Sequence, residues 1–158
     1  MTEVEPFLFR QLMGRFTTGV VVITTKRDDG SPIGMTANSL ASVSLRPPLL
    51  SVCIEQPTEL HGAMLSAPAF AINILAEDQE GLSRRFAAPH DDRFDGVGYQ
   101  LSEQGLVLLD GAIAHIECER HAQFPAGDHT IIVGRVTGGA THEGRPLLYY
   151  RGGYGTLG

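Results

Sequence analysis

The chain has 158 residues, of which 42% are hydrophobic and 19% charged, and its formal net charge is −6. The length predicts one domain over residues 1–158 with a packed core, and the apolar content argues against disorder. Net negative charge without a basic run argues against general nucleic-acid binding and against binding to anionic membranes. No apolar stretch has the length of a membrane span, and acidic residues precede the first apolar ones, so the cytoplasm is expected rather than secretion.

The first third of the chain predicts a helix followed by strands. Residues 7–16 predict a helix because apolar side chains recur at spacings of three and four. The β-branched run over residues 18–26 predicts a strand, and residues 28–31 predict a turn. The chain then resumes in extended form as the second strand of a hairpin. Residues 49–55 predict a further strand, which begins directly after two prolines.

The rest of the chain predicts two more helices among further strands. Thr58 can cap a helix over residues 59–67 that Pro68 ends. A second helix is predicted over residues 77–87, with acidic residues near its start and arginines near its end. The predicted strands are residues 70–75, 112–124 and 129–140, with a loop over residues 88–98. Because strands do not alternate regularly with helices, a mostly β barrel with a few short peripheral helices is favoured over a doubly wound parallel sheet.

The segment GMTANSLASVSLRPPLL, residues 34–50, is rich in short polar side chains and carries one charge, on Arg46. Such side chains can surround a polar ligand with neutral hydrogen-bond donors and acceptors. The backbone amides between them can hold a phosphate, as in an anion-binding nest. The same composition also fits a plain connection between two strands.

Histidines are further candidates for function. His129 follows the turn signal PAGD and lies beside Asp128, so it can contact a ligand or simply cap a turn. The polar face of the strand over residues 112–124 carries His115, Glu117, Glu119 and His121. Same-face neighbours on a strand lie about 7 Å apart, too far to converge on one ion, so no metal site is expected there. Three other histidines have no predicted partner: His61, His90 and His142.

Familiar catalytic and nucleotide-binding motifs are missing from the chain. It has no GxGxxG after a strand, no GxxxxGK[ST] loop and no GxSxG elbow. Cys53 and Cys118 lie in apolar strand patterns and are expected to be reduced core thiols, with a disulfide left open. Tyr154 lies among glycines and can stack on a planar ligand or pack in the core.

Three separated motifs occur in order: GMTANSLASVSLRPPLLSV, then FAINILAEDQEGLSRRFA, then PAGDHTIIVGRV with a terminal YYRGGYG. Together they resemble the flavin reductase family, whose fold is an FMN-binding split β-barrel. The likeness extends from about residue 9 to residue 155. The family includes the short reductase components of two-component flavin monooxygenases. The resemblance therefore implies a homodimer that binds FMN or FAD and takes hydride from NADH or NADPH. NADH is favoured because no arginine is clearly placed for a 2′-phosphate.

The resemblance also implies which residues form the site. The residues expected along the isoalloxazine ring and ribityl chain are Met35, Thr36, Ala37, Asn38 and Ser39. Those expected at the ribityl and phosphate end are Ser42, Val43 and Ser44. Further flavin contacts are expected from Cys53, Thr58, Arg84, Phe86 and Tyr154. His129 matches the residue that meets the nicotinamide, with Asp128 beside it.

The chemistry that the resemblance implies is direct hydride transfer from nicotinamide C4 to flavin N5, so no general base is expected. The reduced flavin would supply a partner oxygenase. The alternative is a flavin carrier or sensor on the same barrel that does not turn over NADH. An oxidase of the pyridoxamine-phosphate type on a related barrel, and a barrel with no small ligand, are further readings.

Overall fold

The computed structural model describes residues 1–158 and contains three short helices and twelve strands. The helices are α1 (Pro6–Met13), α2 (Glu59–Ser66) and α3 (Glu80–Ala87). The strands are β1 (Thr18–Gly19), β2 (Val21–Lys26), β3 (Pro32–Ala37), β4 (Ala41–Ser44), β5 (Leu49–Glu55), β6 (Ala69–Ile74), β7 (Tyr99–Leu101), β8 (Val107–Leu109), β9 (Ala114–Ala126), β10 (His129–Thr141), β11 (Leu148–Tyr150) and β12 (Gly153–Gly155). The prediction of a mostly β fold with a few short helices is confirmed.

Seven strands form one antiparallel sheet, in the order β3-β2-β6-β9-β10-β5-β4. Although β3 and β4 are at opposite ends of this order, only residues 38–40 connect them. Such a short link can span at most about 14 Å, so the sheet must curl until its two edges are neighbours. Ser39 ties this link to β5, because its Oγ accepts a hydrogen bond from Cys53 N–H at 3.0 Å. We call residues 36–44 the seam of the barrel.

Two apolar cores lie on the two faces of β2. Val21 and Ile23 point into the barrel, where they pack with β5, β6 and β10. Val20 and Val22 point outward into a second core that contains Phe86 of α3. Because both faces of β2 are covered, its sequence is a continuous apolar and β-branched run rather than an alternating one.

The structure differs from the predicted elements in several places. Helix α3 begins at Glu80, three residues later than predicted, and β9 begins and ends two residues later than predicted. Helix α1 ends at Met13, three residues earlier than predicted. The strand predicted over residues 18–26 is interrupted at Val20, because β1 pairs with β11 whereas β2 pairs with β3 and β6. The hairpin of β7 and β8 was not predicted, since each strand has only three residues. None of the helices is long and apolar enough to cross a membrane.

Candidate active site

The seam presents alternate residues of β3 to opposite environments. Met35 and Ala37 pack against the core inside the barrel, and both are half-buried. Thr36 lies on the outer face, and its hydroxyl donates a 2.6 Å hydrogen bond to the carbonyl of Ser83 in α3. Asn38 is exposed at the link that follows. The outer side of the seam is therefore polar, whereas its inner side belongs to the core.

A polar cluster joins the seam to α3 and β12. Ser83 is fully buried, and its Oγ lies 2.7 Å from the Tyr154 hydroxyl. The Arg84 guanidinium lies 4.9 Å from the centre of the Tyr154 ring, a cation–π distance. Glu80 accepts a 3.1 Å hydrogen bond from Arg84 Nε and orients that side chain. The fold thus brings together Thr36, Arg84 and Tyr154 from three distant segments, through a serine that the sequence did not single out.

Phe86 lies in the second core rather than on the surface. It is fully buried, and its ring centre lies 5.0 Å from that of Phe94 in an edge-to-face arrangement. Gly34 makes room for both rings, because a Cβ there would lie 3.1 Å from Phe86 and 3.2 Å from Phe94. The side chain therefore packs α3 against β3, and a flavin contact predicted for Phe86 would have to be indirect.

Ser42, Val43 and Ser44 lie on β4, an edge strand that pairs only with β5. The register shifts between Ser42 and Ser44, and the Val43 side chain is 53% exposed. An edge strand leaves one row of backbone N–H and C=O groups free, and a bulge adds an unpaired residue. These backbone groups, with the two hydroxyl groups, are available to a polar ligand beside the seam.

His129 begins β10, immediately after the turn from β9. Its Nδ1 lies 2.6 Å from Oδ1 of Asp128, and the imidazole is 41% exposed. The hydrogen bond from His129 lowers the pKa of Asp128 below its usual range. An ionised carboxylate only accepts hydrogen bonds, so Nδ1 carries the proton that it shares with Asp128. The other ring nitrogen, Nε2, is then free to meet a ligand.

Gln56 fastens the turn that carries His129. Its backbone N–H donates to the Asp128 carbonyl at 2.8 Å. Its side-chain Nε2 donates to Thr130 Oγ1 at 2.8 Å and to the His129 carbonyl at 3.2 Å. His61 Nε2 lies 2.8 Å from the same threonine hydroxyl. Gln56 and His61 had no predicted role, because their partners are more than sixty residues away in the sequence.

His129 is connected to the seam through the paired strands β10 and β5. In the ladder between β10 and β5, His129 is opposite Glu55 and Ile131 is opposite Cys53. Cys53 holds Ser39 of the seam, and two residues along a strand span about 7 Å. Thr58 lies near this end of β5, but its hydroxyl accepts from His61 N–H as the N-cap of α2. This N-cap hydrogen bond explains why a threonine is found at position 58, and no contact with a ligand is needed to explain it.

The structure also shows what surrounds His142 and the two cysteines. His142, which had no predicted partner, lies with its Nε2 3.1 Å from His115 Nδ1. No group of three or more His, Cys, Asp or Glu side chains is arranged to hold a metal ion. Cys53 and Cys118 are both free thiols, as expected, but only Cys118 lies in the core, since Cys53 is half-buried. Cys118 is fully buried, and burial raises its pKa to about 12.

The family model described as the flavin reductase like domain matches residues 13–158. The chain belongs to this family. The resemblance found in the three sequence motifs is thereby confirmed.

Solved and curated relatives support this assignment. The structure of Streptomyces globisporus NADH:FAD oxidoreductase SgcE6, in complex with NAD and FAD fragments, superposes with a TM-score of 0.93 at 36% identity, covering 100% of this chain and 98% of that one. The split β-barrel of flavin reductases is therefore the fold of this chain. The FMN reductase (NADH) SmoA of Agrobacterium fabrum is 44% identical over 147 residues, which are 93% of this chain and 83% of that protein.

Some relatives are longer. The reductase component of the flavin-dependent trigonelline monooxygenase of Acinetobacter baylyi is 46% identical over 147 residues, which are 93% of this chain but 47% of that protein. A Rhizobium meliloti relative is 44% identical, and the match covers 49% of its length. The chain thus spans about half the length of these two flavin reductase relatives.

Proposed function

We propose that this chain is an NAD(P)H:flavin oxidoreductase, which reduces FMN or FAD by direct hydride transfer from nicotinamide C4 to flavin N5. The observation that carries the proposal is that hydrogen bonds join the seam both to the Ser83–Tyr154 cluster, through Thr36, and to the β5–β10 ladder, through Ser39. Together these parts contain residues of all three motifs of the flavin reductase resemblance. The FMN and FAD reductases among the relatives support the same activity.

The residues of the seam fit a flavin. The ribityl chain and the ring edges of a flavin need several neutral hydrogen-bond partners, and its phosphate needs backbone amides or a cation. Asn38 and Ser42 are exposed, and the edge strand β4 has a free row of backbone groups. We assign the ring and ribityl chain to Thr36, Asn38 and Ser39, and the phosphate end to β4.

His129 is proposed to orient the nicotinamide. With Nδ1 donating to Asp128, the other ring nitrogen, Nε2, is available to form a hydrogen bond with the carboxamide of the nicotinamide. The hydride chemistry itself is supplied by the flavin and the nicotinamide when both are bound. The contribution of the protein is orientation, which converts an encounter in solution into a reaction between neighbouring rings.

A homodimer is proposed from the exposed apolar face of α1. No residue of this helix is buried, and Leu8 and Leu12 are 44% and 57% exposed. An apolar helix face of this kind is stabilised when a second copy covers it. Light scattering should give twice the mass of one chain, and Leu12→Arg should lower that mass toward the monomer value.

The partner proposed for the product is an oxygenase that consumes reduced flavin. Several relatives are named as reductase components or subunits of flavin-dependent monooxygenases. The two free thiols agree with a reducing compartment, and the cytoplasm is proposed on that basis.

The test of the activity is NADH oxidation, followed by absorbance at 340 nm, with catalytic FMN and then with FAD. Rapid loss of absorbance with either flavin is expected, and the ratio of the two rates ranks the flavins. If flavin binds but neither NADH nor NADPH is consumed, the chain is a flavin carrier or sensor and the reductase proposal is wrong.

A further inference from the structure

A cavity of about 630 Å³ lies between α1 and the turn that joins β11 to β12. Its size falls within the range of small-molecule sites, about 300–1,000 Å³. Three of its twelve lining residues are arginines, Arg10, Arg15 and Arg151, and none is Asp or Glu. In a chain with a net charge of −6, a cavity lined by arginines without a carboxylate is suited to an anion.

These arginines are available to a ligand. The four ion pairs of the structure involve other cations, namely Arg27, Arg84, His129 and Arg145. A guanidinium group without a carboxylate partner can bind a phosphate through two parallel N–H donors. Because three such groups line one cavity, a diphosphate is a better match than a single charge.

Arg151 has an unusual backbone conformation. Its φ is 52°, and it is the only residue other than glycine with a positive φ. Arg151 and Gly152 form the two-residue loop between Tyr150 and Gly153, where both loop residues have positive φ. Asn-Gly or Gly-Gly is preferred in such a hairpin. The Arg151 N–H donates to the Gly14 carbonyl at 2.9 Å, which fastens this turn to the end of α1. The conformation of this turn does not favour an arginine, so we attribute the presence of Arg151 to a function of its side chain.

The other walls of the cavity suit a planar ring. They include aromatic side chains from α1, from the segment after it and from β11, namely Phe7, Phe9, Phe16 and Tyr149. Aromatic faces stack on the bases of nucleotides. An adenine ring and a diphosphate together therefore match the two kinds of side chain that line this cavity.

The cavity adjoins the proposed flavin site. Asn38 of the seam is one of its lining residues. Tyr149, another lining residue, has its ring centre 5.5 Å from that of Tyr154, which contacts Ser83 and Arg84. A ligand that spans both places would have one end at the seam and the other among the arginines.

We propose that this cavity binds the ADP half of a dinucleotide, the part that NADH and FAD have in common. This inference rests on the proposed function, because it assigns a place to the end of the cofactor that does not react. The arginines determine affinity for the dinucleotide, whereas the seam and His129 act on the reacting rings.

The first test compares NADH with reduced nicotinamide mononucleotide, which has no ADP half, at fixed FMN. Arg10→Gln/Arg15→Gln and Arg151→Gly are the cavity variants, and the glycine suits the positive φ of the turn. The matched control is Arg135→Gln, which removes an exposed charge outside the cavity. If NADH uses the cavity, its KM rises about tenfold or more in both cavity variants. The KM for the mononucleotide stays unchanged, and Arg135→Gln behaves as wild type.

The second test identifies FAD as the occupant instead. The ratio of the FAD and FMN dissociation constants, measured by flavin fluorescence, rises in the cavity variants if the ADP half of FAD binds there. If neither this ratio nor the KM for NADH changes, the inference is wrong. An equal rise in the KM for NADH and for the mononucleotide would also overturn it. The arginines would then act on the nicotinamide site or on the stability of the fold, and not on the ADP half.

Calorimetric titration with ADP separates this inference from the proposed function. If the wild type fails to oxidise NADH yet binds ADP, and both cavity variants lose that binding, the reductase proposal fails and the cavity assignment stands. Failure of the wild type to bind ADP, with an unchanged KM for NADH in the variants, rejects the cavity while the reductase activity remains.

Discussion

The hydroxyl of Tyr154 lies 2.7 Å from Oγ of Ser83, a fully buried residue whose carbonyl accepts a hydrogen bond from Thr36. One serine thus joins the first and last motifs of the chain, which are more than a hundred residues apart. Because Ser83 is buried, its hydroxyl depends on Tyr154 for a partner. The cluster therefore couples the shape of the seam to the packing of α3.

Tyr154→Phe tests this coupling. The variant keeps the ring over Arg84 but leaves the buried Ser83 hydroxyl without its partner, which costs about 1–3 kcal/mol of the free energy of unfolding. Flavin affinity should fall several-fold, because Thr36 is held by the same helix. Chemical denaturation and flavin fluorescence measure the two effects. Tyr150→Phe is the control, since Tyr150 is 44% exposed and should change neither quantity. Unaltered stability in Tyr154→Phe would show that the hydrogen bond contributes nothing.

His129→Ala is expected to raise the KM for NADH or lower kcat without loss of flavin binding. The physical reason is that the imidazole is proposed to contact the nicotinamide rather than the flavin. Steady-state kinetics at saturating flavin, with flavin affinity measured separately, check this. His121→Ala removes an exposed imidazole from β9 and should leave both unchanged. Wild-type kinetics with NADH in the His129 variant would reject the nicotinamide role.

Gln56→Ala is expected to raise the KM for NADH by acting through His129. The variant loses the side-chain hydrogen bonds to the His129 carbonyl and to Thr130, so the turn that carries the imidazole is less well held. A double-mutant cycle identifies the route of the effect. The KM for NADH of the double variant Gln56→Ala/His129→Ala should be no higher than that of His129→Ala alone. If the effects of the two substitutions on the KM are independent and add in free energy, Gln56 does not act by positioning His129.

The two cysteines are expected to differ in reactivity. Cys118 is fully buried and its pKa is raised to about 12, so at pH 8 it should resist a thiol reagent in the folded protein. Cys53 is half-buried beside the seam and should react, more slowly when flavin is bound. Labelling followed by mass spectrometry counts the modified thiols, and both should react in denaturant. Labelling of Cys118 in the folded state, or no protection of Cys53 by flavin, would contradict these expectations.

The raised pKa of Cys118 also predicts a loss of stability in alkali. The thiol has a pKa of about 12 in the folded chain and about 8.5 in the unfolded chain. Its contribution to the free energy of unfolding is therefore fully present below pH 8.5, where both states keep the proton. That contribution disappears as the pH rises toward 12, because only the unfolded chain releases the proton. The free energy of unfolding should therefore fall more steeply between pH 9 and 11 in wild type than in Cys118→Ala. If the free energy of unfolding has the same pH dependence in both proteins, the Cys118 thiol does not determine stability between pH 9 and 11.

Local sequence determined most of the secondary structure and the family. The β-branched run that contains β2, the Thr58 cap and the turn before His129 depend on neighbouring residues, so their patterns could be interpreted directly. The family resemblance depended on motif order, which is also a property of the sequence. The short β7–β8 hairpin escaped prediction because three-residue strands have too little periodicity to detect.

Tertiary structure alone decided which residues share a site. Ser83 and Gln56 are held by partners that are distant in the chain, and Arg151 lines the same cavity as Arg10 and Arg15 from more than a hundred residues away. A local pattern carries no information about such contacts. The sequence by itself established strands, caps, turns and a family, because these follow from spacings of a few residues. The curling of the seven-stranded sheet makes neighbours of its edge strands and so determined the seam. The packing of α3 against β3 buried Phe86, and the hydrogen bond from Arg151 N–H to Gly14 placed the β11–β12 turn beside α1. Those features follow from the packing of the whole chain and not from any segment of it.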